Sequence, residues 1–237
     1  MLNQVLVRCL LVAASVVPLA AHAQHAHAGD VAVSTVAGKL MLGGAHFEVH
    51  GLNGYNIYEA DFGDLNGGPF ATDDPGFQTQ GGAFVTPNSF VSFTGIGNLQ
   101  FWNGLSWGRA VSNETVRIAD ALNGAFSTWS NSGFVAGPNS FVGQAGRNGS
   151  LHEHLDMFVT PNASVGAYLI QLQLTSSTDA ASLPFYIAFN RGLGDDAFEA
   201  SVGALAAVPE PETYALLLAG LTLVGAVVRR RTASRQA

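Results

Sequence analysis

The stretch that decides the fold class is Gly166-Ala167-Tyr168-Leu169-Ile170-Gln171-Leu172-Gln173-Leu174. Every second side chain from Tyr168 to Leu174 is large and apolar, and Gln171 and Gln173 alternate with them. Successive side chains of a β-strand point to opposite faces of the sheet. The pattern therefore predicts a strand whose Tyr168 face is buried in a core.

Shorter runs of the same kind recur along the chain, separated by turn-forming pairs such as Asn103-Gly104 and Asn148-Gly149. No stretch keeps a helical apolar period for three turns. The other predicted strands are residues 30–35, 40–42, 46–50, 56–61, 89–94, 99–102, 115–118, 152–159 and 184–189, and residues 119–128 are the one candidate for a short helix. Many short strands without β–α alternation predict an all-β fold, a single β-sandwich or jelly-roll domain.

Composition excludes several classes of protein. The chain has 237 residues, 48% of them hydrophobic, and a formal net charge of −7 from 10 Lys and Arg against 17 Asp and Glu. Intrinsic disorder requires low hydrophobicity and high charge density. A nucleic-acid surface requires a basic patch, so we expect no nucleic-acid partner. The length suits one sizeable core.

The N-terminus has the pattern of a secretory signal peptide. Arg8 precedes an apolar run from Cys9 to Ala20, and Ala21-His22-Ala23 provides a small-x-small cleavage site. We therefore expect the exported chain to begin at Gln24. A second such triplet, Ala26-His27-Ala28, provides an alternative cleavage site.

The C-terminus carries three features in order. Val208-Pro209-Glu210-Pro211-Glu212 precedes an apolar segment from Tyr214 to Val228, and three arginines, residues 229–231, follow directly. This arrangement resembles the PEP-CTERM sorting signal, in which Pro209, Glu210 and Pro211 would be the recognised motif. The resemblance implies cleavage by an exosortase-type membrane protease, an apolar helix in the inner membrane and a cytoplasmic basic cluster. The alternative is a permanent anchor, although the segment is slightly shorter than the roughly 17 residues of a spanning helix.

These features divide the chain into three predicted parts. They are a signal peptide at 1–23, an exported β domain at 24–207, and a sorting signal with an apolar helix and a basic tail at 208–237. Both ends are predicted to be helical. We expect the protein to be held in the inner membrane before sorting, and then to reach the cell envelope or extracellular matrix of a Gram-negative bacterium.

The strongest signal for chemistry is Leu151-His152-Glu153-His154-Leu155-Asp156-Met157-Phe158-Val159. If residues 152–159 form one strand, His152, His154 and Asp156 share a face, and Leu155, Met157 and Val159 face the core. Imidazoles two residues apart begin about 6.6 Å from each other and can converge on one metal ion. Asp156 would be a third ligand, or the carboxylate that orients one of the imidazoles.

Two further histidine pairs extend this pattern. His46 and His50 would share one face of a strand, and His25 and His27 form a second His-x-His at the mature N-terminus. The only cysteine is Cys9, in the predicted signal peptide, so we expect neither disulfides nor thiolate ligands in the exported domain. Nitrogen and oxygen ligands without sulfur favour zinc, with copper as a weaker alternative, over calcium.

A second resemblance rests on six segments and concerns PEP-CTERM proteins whose expression is repressed by the zinc-uptake regulator. The segments are residues 25–30, 72–77, 101–104, 152–159, 166–174 and 184–190. The resemblance implies a secreted, surface-associated protein that is made when zinc is scarce and holds zinc through its histidines. It implies no enzymatic activity. His46 and His50 lie outside the pattern, so their role rests on spacing alone.

Two other functions remain open. In the first, the protein is a structural or adhesive matrix component whose histidines simply face water. In the second, it is a cupin-like metal-dependent enzyme, because cupins are jelly rolls with His-x-His on a strand. The glutamate expected shortly after His154 is missing, however, as is any later histidine.

Three weaker patterns have ordinary structural explanations. Gly104-Leu105-Ser106-Trp107-Gly108 has the form of a nucleophile elbow but is not followed by the helix that this motif requires, so we interpret it as a tight turn. The carboxylates between Asp61 and Asp74 lack EF-hand spacing and suit turn capping better than calcium binding. Trp102 and Trp107 could form a carbohydrate platform, although aromatic residues on strands are usually part of the core.

Overall fold

The computed structural model describes residues 29–44, 47–49, 55–65, 68–206 and 220–222. The described strands and helix are β1 (Val31–Val36), β2 (Lys39–Gly43), β3 (Phe47–Val49), β4 (Tyr55–Asp61), β5 (Ala71–Thr72), β6 (Phe77–Gln78), β7 (Phe90–Trp102), β8 (Trp107–Arg109), β9 (Thr115–Ala119), β10 (Phe126–Ser130), β11 (Gly133–Val135), β12 (Phe141–Gln144), β13 (His152–Glu153), β14 (Met157–Val159), β15 (Gly166–Ser176), β16 (Phe185–Arg191) and α1 (Asp195–Ala206). The predicted signal peptide and the predicted C-terminal helix lie outside these ranges, except for residues 220–222, which are helical.

The strands form three sheets. The first has seven strands in the order β12-β7-β15-β16-β4-β3, with β8 paired to β7. The second has the order β11-β10-β9-β14-β5, and the third has the order β13-β6-β1-β2. All pairs are antiparallel except β1 with β6 and β16 with β4. This confirms the all-β class, whereas the sandwich or jelly-roll arrangement and the domain boundaries remain predictions.

All three sheets contribute to one hydrophobic core. Val33 from the four-stranded sheet, Trp129 and Met157 from the five-stranded sheet, and Leu172 from the seven-stranded sheet belong to a single buried cluster. Each fully buried side chain of this size contributes about 1.5–3 kcal/mol relative to the exposed state. The core therefore joins the three sheets.

Strand β15 confirms the alternation predicted for it. Tyr168 and Leu172 face the main core, and Leu169 on the opposite face is buried in a second cluster with Phe198 and Val202 of α1. The helix begins after Gly194, whose carbonyl oxygen accepts hydrogen bonds from the next helical turn. The sequence does not predict α1, because only Phe198, Val202 and Leu205 among its twelve residues are large and apolar.

The short helix predicted at residues 119–128 is wrong. This segment is the end of β9, a turn and the start of β10. The carboxylate of Asp120 accepts hydrogen bonds from the backbone N–H groups of Leu122 and Asn123, at 2.8 and 3.2 Å, and from that of Phe141 at 2.9 Å. An aspartate that bonds its own backbone in this way favours a turn over a helix.

Candidate metal centre

His152 and His154 lie at the edge of the four-stranded sheet. His152 is on β13, opposite Gln78 of β6, and is exposed. His154 follows the end of the strand and is partly exposed. The two imidazole centroids are 5.4 Å apart with the rings tilted by 55°. The structure thus brings this predicted pair together.

The single strand predicted over residues 152–159 is wrong, and Asp156 is displaced as a result. The segment forms β13 in one sheet and β14 in another, and Leu155 is buried between them. Leu155, Met157 and Val159 do face the core, as predicted. Asp156, however, is exposed and does not join His152 and His154 in a cluster; its carbonyl oxygen accepts a hydrogen bond from the Ala119 N–H.

The carboxylate that meets the two imidazoles belongs to Asp30. This residue directly precedes β1, which pairs with β6 in parallel register, and it is only 2% exposed. Its Oδ1 accepts a hydrogen bond from the Gly76 N–H at 2.9 Å, and its Oδ2 accepts one from Gln78 Nε2 at 2.6 Å. A buried carboxylate needs such partners. They hold Oδ2 at 4.0 Å from His154 Nε2.

The other side of the His154 ring is fixed by the loop between β5 and β6. His154 Nδ1 lies 3.0 Å from the carbonyl oxygen of Asp73 and 3.5 Å from Oδ1 of Asp74. A carbonyl oxygen only accepts hydrogen bonds, so in this contact Nδ1 is the donor. Nε2 is the nitrogen that faces Asp30. This resembles the way protein metal sites orient a histidine through its other ring nitrogen.

Gly76 makes room for this ring. A Cβ atom at Gly76 would lie 2.6 Å from His154 Nε2 and Cε1. Real Cβ atoms do not approach other heavy atoms so closely, so a larger residue at position 76 would push the imidazole away from its place. The Asp-Asp-Pro-Gly sequence at 73–76 therefore provides both the hydrogen-bond acceptor and the gap for His154.

Two groups of ligand atoms result. Asp30, His152 and His154 each offer one ligand atom within 4.8 Å of the others, and Asp73, Asp74 and His154 do the same. The first group uses two nitrogens and one oxygen. In the second, the His154 atom that faces Asp74 Oδ1, at 3.5 Å, is Nδ1, which already contacts the Asp73 carbonyl oxygen. The first group is therefore the better metal centre.

Glu153 lies between the two histidines in sequence but on the other face of β13. Its side chain packs where a Cβ at Gly143 would be, 2.5 Å away. Burial raises the pKa of the Glu153 carboxyl, and the charges of His152 and His154 act to lower it. Glu153 is therefore a neighbour of the cluster and not one of its ligands.

The remaining predicted ligands, His25, His27, His46 and His50, lie outside the described residues. Asp30 is not among the ligands predicted from the sequence, and the carboxylates of Asp73 and Asp74 are considered there only for calcium. A signal for all three was present, because residues 25–30, 72–77 and 152–159 are segments of the second resemblance. The structure brings the described parts of these segments together.

Residues 207–231 match the PEP-CTERM protein-sorting motif. The chain carries a PEP-CTERM sorting signal. The match includes Pro209, Glu210 and Pro211, and it indicates export, processing by an exosortase and a cell-surface destination in Gram-negative bacteria. No curated protein and no solved structure matches the chain. Within the described residues, none of the helices has the length and apolar character needed to cross a membrane.

Proposed function

We propose that this protein is a non-enzymatic, surface-associated protein that binds a divalent metal ion, zinc in the first place, through Asp30, His152 and His154. Before sorting, the Tyr214–Val228 segment holds it in the inner membrane. The cluster of two imidazoles and one buried carboxylate within 4.8 Å is the observation that carries the metal proposal.

The dimensions of the cluster suit a small ion after modest movement. In a tetrahedral zinc site with bonds of about 2.0–2.2 Å, neighbouring ligand atoms lie about 3.4 Å apart. The 4.0 Å between His154 Nε2 and Asp30 Oδ2 is slightly wider. A small shift of the His154 ring would close this difference, and rotation of the exposed His152 side chain would bring its imidazole to the same ion. Zinc is preferred to calcium because two of the three ligands are imidazole nitrogens.

Chain connectivity supports two of the earlier predicted histidines, His27 and His46, as candidates for a fourth ligand. His27 is only three residues before Asp30 in the sequence. Gly44 lies against the Asp30 backbone, since a Cβ there would be 2.9 Å from the Asp30 carbonyl oxygen, and His46 is only two residues further on. We include His25, His27, His46 and His50 as candidates for the fourth ligand.

Metal analysis of the purified full chain tests the proposal. After dialysis against buffer that contains only trace zinc, we expect about one zinc ion per wild-type chain. We expect the His152→Ala variant to lose that zinc. Because His152 is exposed, this substitution should change the free energy of unfolding by no more than about 0.5 kcal/mol. Loss of zinc would then reflect a lost ligand.

Asp156→Ala is the matched control, because Asp156 is also exposed and lies nearby in sequence but outside the cluster. It should retain its zinc. Equal metal content in both variants would overturn the assigned ligands. If even the wild-type chain retained no metal, the matrix-component alternative would be favoured. A substrate turned over only by the zinc-loaded protein would favour the cupin-like alternative.

A further inference from the structure

A second surface, formed by residues other than those of the metal cluster, lies where α1 covers one face of the seven-stranded sheet. The helix packs through Phe198 and Val202, and the indole Nε1–H of Trp107 donates a hydrogen bond to the carbonyl oxygen of Ser201 at 2.8 Å. The helix covers only part of this face. Two open clefts of about 410 and 420 Å³ lie between the helix and the sheet.

Both clefts are mostly apolar, and neither is lined by a charged residue. Trp102 lines both of them, Trp107 and Tyr186 line the larger, and Phe101 and Val165 line the smaller. Neither cleft is lined by any Asp, Glu, Lys or Arg, although the chain as a whole has a net charge of −7. The Trp102 and Trp107 rings are in contact, with centroids 5.7 Å apart.

Exposed apolar side chains lie at the edges of these clefts. Leu105, at the tip of the β7–β8 hairpin, is 89% exposed, and Val165, before β15, is 59% exposed. Exposed aliphatic residues beside tryptophan and tyrosine are typical of surfaces that contact a partner or a membrane. Tryptophan and tyrosine side chains favour the membrane–water interface, because they combine an apolar ring with a polar group.

The short sequence distance between α1 and the sorting motif indicates what lies near this surface. Ala204 and Leu205, in the last turn of α1, line the same cleft as Leu105. The sequence continues from Ala206 into the sorting motif and reaches Tyr214 after eight residues. Eight residues span at most about 28 Å. If the segment beginning at Tyr214 is in the membrane, the end of α1 and its cleft are held beside that membrane.

We propose that this surface, defined by Leu105, Trp102, Trp107, Tyr186 and Val165, docks onto the periplasmic surface of the inner membrane while the chain is still attached through its C-terminus. The proposal rests on the membrane attachment included in the proposed function. A tether of this length gives the surface a high effective concentration at the bilayer, so weak apolar contacts are sufficient. Cleavage at the sorting signal removes the tether, and the acidic domain then leaves an anionic membrane.

Tryptophan fluorescence offers a direct test, because the chain has three tryptophans and they differ in position. Trp102 and Trp107 belong to the proposed surface, whereas Trp129 is fully buried in the main core. The full chain is reconstituted into vesicles of phosphatidylethanolamine and phosphatidylglycerol whose acyl chains carry bromine, which quenches nearby indoles. We expect quenching of the wild-type chain. We expect that quenching to be lost in the Trp102→Phe/Trp107→Phe double variant, in which Trp129 remains.

Leu105→Asp tests the surface without removing a fluorophore. Leu105 is almost fully exposed, so the substitution should leave the fold unchanged while the carboxylate prevents contact with lipid. The matched control is Leu122→Asp, at a residue that is 69% exposed in the β9–β10 turn of the five-stranded sheet. We expect loss of quenching in the first variant and wild-type quenching in the second.

The outcomes separate the two proposals. If the full chain does not co-float with the vesicles, both the membrane attachment and the docking are wrong. If it co-floats but its tryptophans are not quenched, the attachment stands and the docking is wrong. Equal quenching of the two aspartate variants would also overturn the docking. Self-association that Leu105→Asp abolishes, without quenching by lipid, would assign the surface to a second copy of the chain.

Discussion

Strand β15 and the segment 152–159 show two ways in which a sequence determines structure. In β15 the apolar alternation from Tyr168 to Leu174 matches the structure, because every second side chain in this run belongs to the main core. Gln171 and Gln173, on the opposite face, are only partly buried. Segment 152–159 alternates equally well, yet it is divided between two sheets. The difference is that β15 pairs with β7 and β16 over most of its length, whereas β13 and β14 each pair with strands only two to five residues long.

The largest expected effect is in β15. Leu172→Ala removes a fully buried side chain at the centre of the core and should lower the free energy of unfolding by about 2–5 kcal/mol. Gln171→Ala, one residue earlier and only partly buried, should change it by no more than about 0.5 kcal/mol. Urea denaturation of both variants measures the difference. Similar losses would mean that the two faces of β15 do not differ as the structure shows.

A smaller effect on stability, but a large one on metal affinity, is expected at Gly76. An added Cβ would lie 2.6 Å from the His154 ring, so Gly76→Ala should displace the imidazole. We expect zinc affinity to fall about 10–100-fold, which is the usual effect of removing a group that orients a metal ligand. The variant keeps the N–H that donates to Asp30. Its loss of unfolding free energy should therefore reflect steric overlap, about 1–3 kcal/mol.

Gly108→Ala is the control for this experiment. Gly108 lies in β8, and apart from its chain neighbours no heavy atom lies within 4 Å of the position that its Cβ would take. Zinc titrations of the two variants, with their circular dichroism spectra, should show weaker binding only for Gly76→Ala. Unchanged zinc affinity in Gly76→Ala would mean that zinc binding does not depend on the packing of the His154 ring against Gly76.

Much of the fold could be predicted because it depends on local patterns. The all-β class followed from the alternation in β15 and from the turn-forming pairs, and both are properties of neighbouring residues. The turn at Asp120 and the helix α1 could not be predicted in the same way. Asp120 stabilises its turn partly through the N–H of Phe141, twenty-one residues away, and α1 is stabilised by packing against Leu169 and Trp107.

In the candidate site, too, the part that depends on neighbouring residues could be predicted, and the part that depends on distant strand pairing could not. His152 and His154 are two residues apart, so any extended backbone brings their side chains to one region. Asp30 reaches them only because β1 pairs with β6 and β6 pairs with β13, two contacts between distant parts of the chain. The spacing in the sequence predicts Asp156 as a ligand, but it lies outside the cluster because the chain passes from one sheet to another between β13 and β14.

The smallest effect is expected near the start of β15, at the hydroxyl group of Tyr168. Tyr168 is fully buried and its hydroxyl donates a hydrogen bond to the Ser164 carbonyl oxygen at 3.0 Å. Burial, and then the nearby charge of Glu114, raises the pKa of the Tyr168 hydroxyl well above its ordinary value of about 10. Above that pH the unfolded chain releases this proton and the folded chain retains it. The free energy of unfolding should therefore fall as pH rises beyond about 10.

Tyr168→Phe should make this alkaline decrease shallower, because the substituted residue has no proton to lose. The variant should also lose about 1 kcal/mol at neutral pH with the hydrogen bond to Ser164. Urea denaturation between about pH 8 and about pH 11 measures both effects. Leu172→Ala is the comparison, since it should lower stability by the same amount at every pH. If Tyr168→Phe followed the wild-type pH dependence, the alkaline sensitivity would belong to other groups, and the buried end of β15 would be held by packing alone.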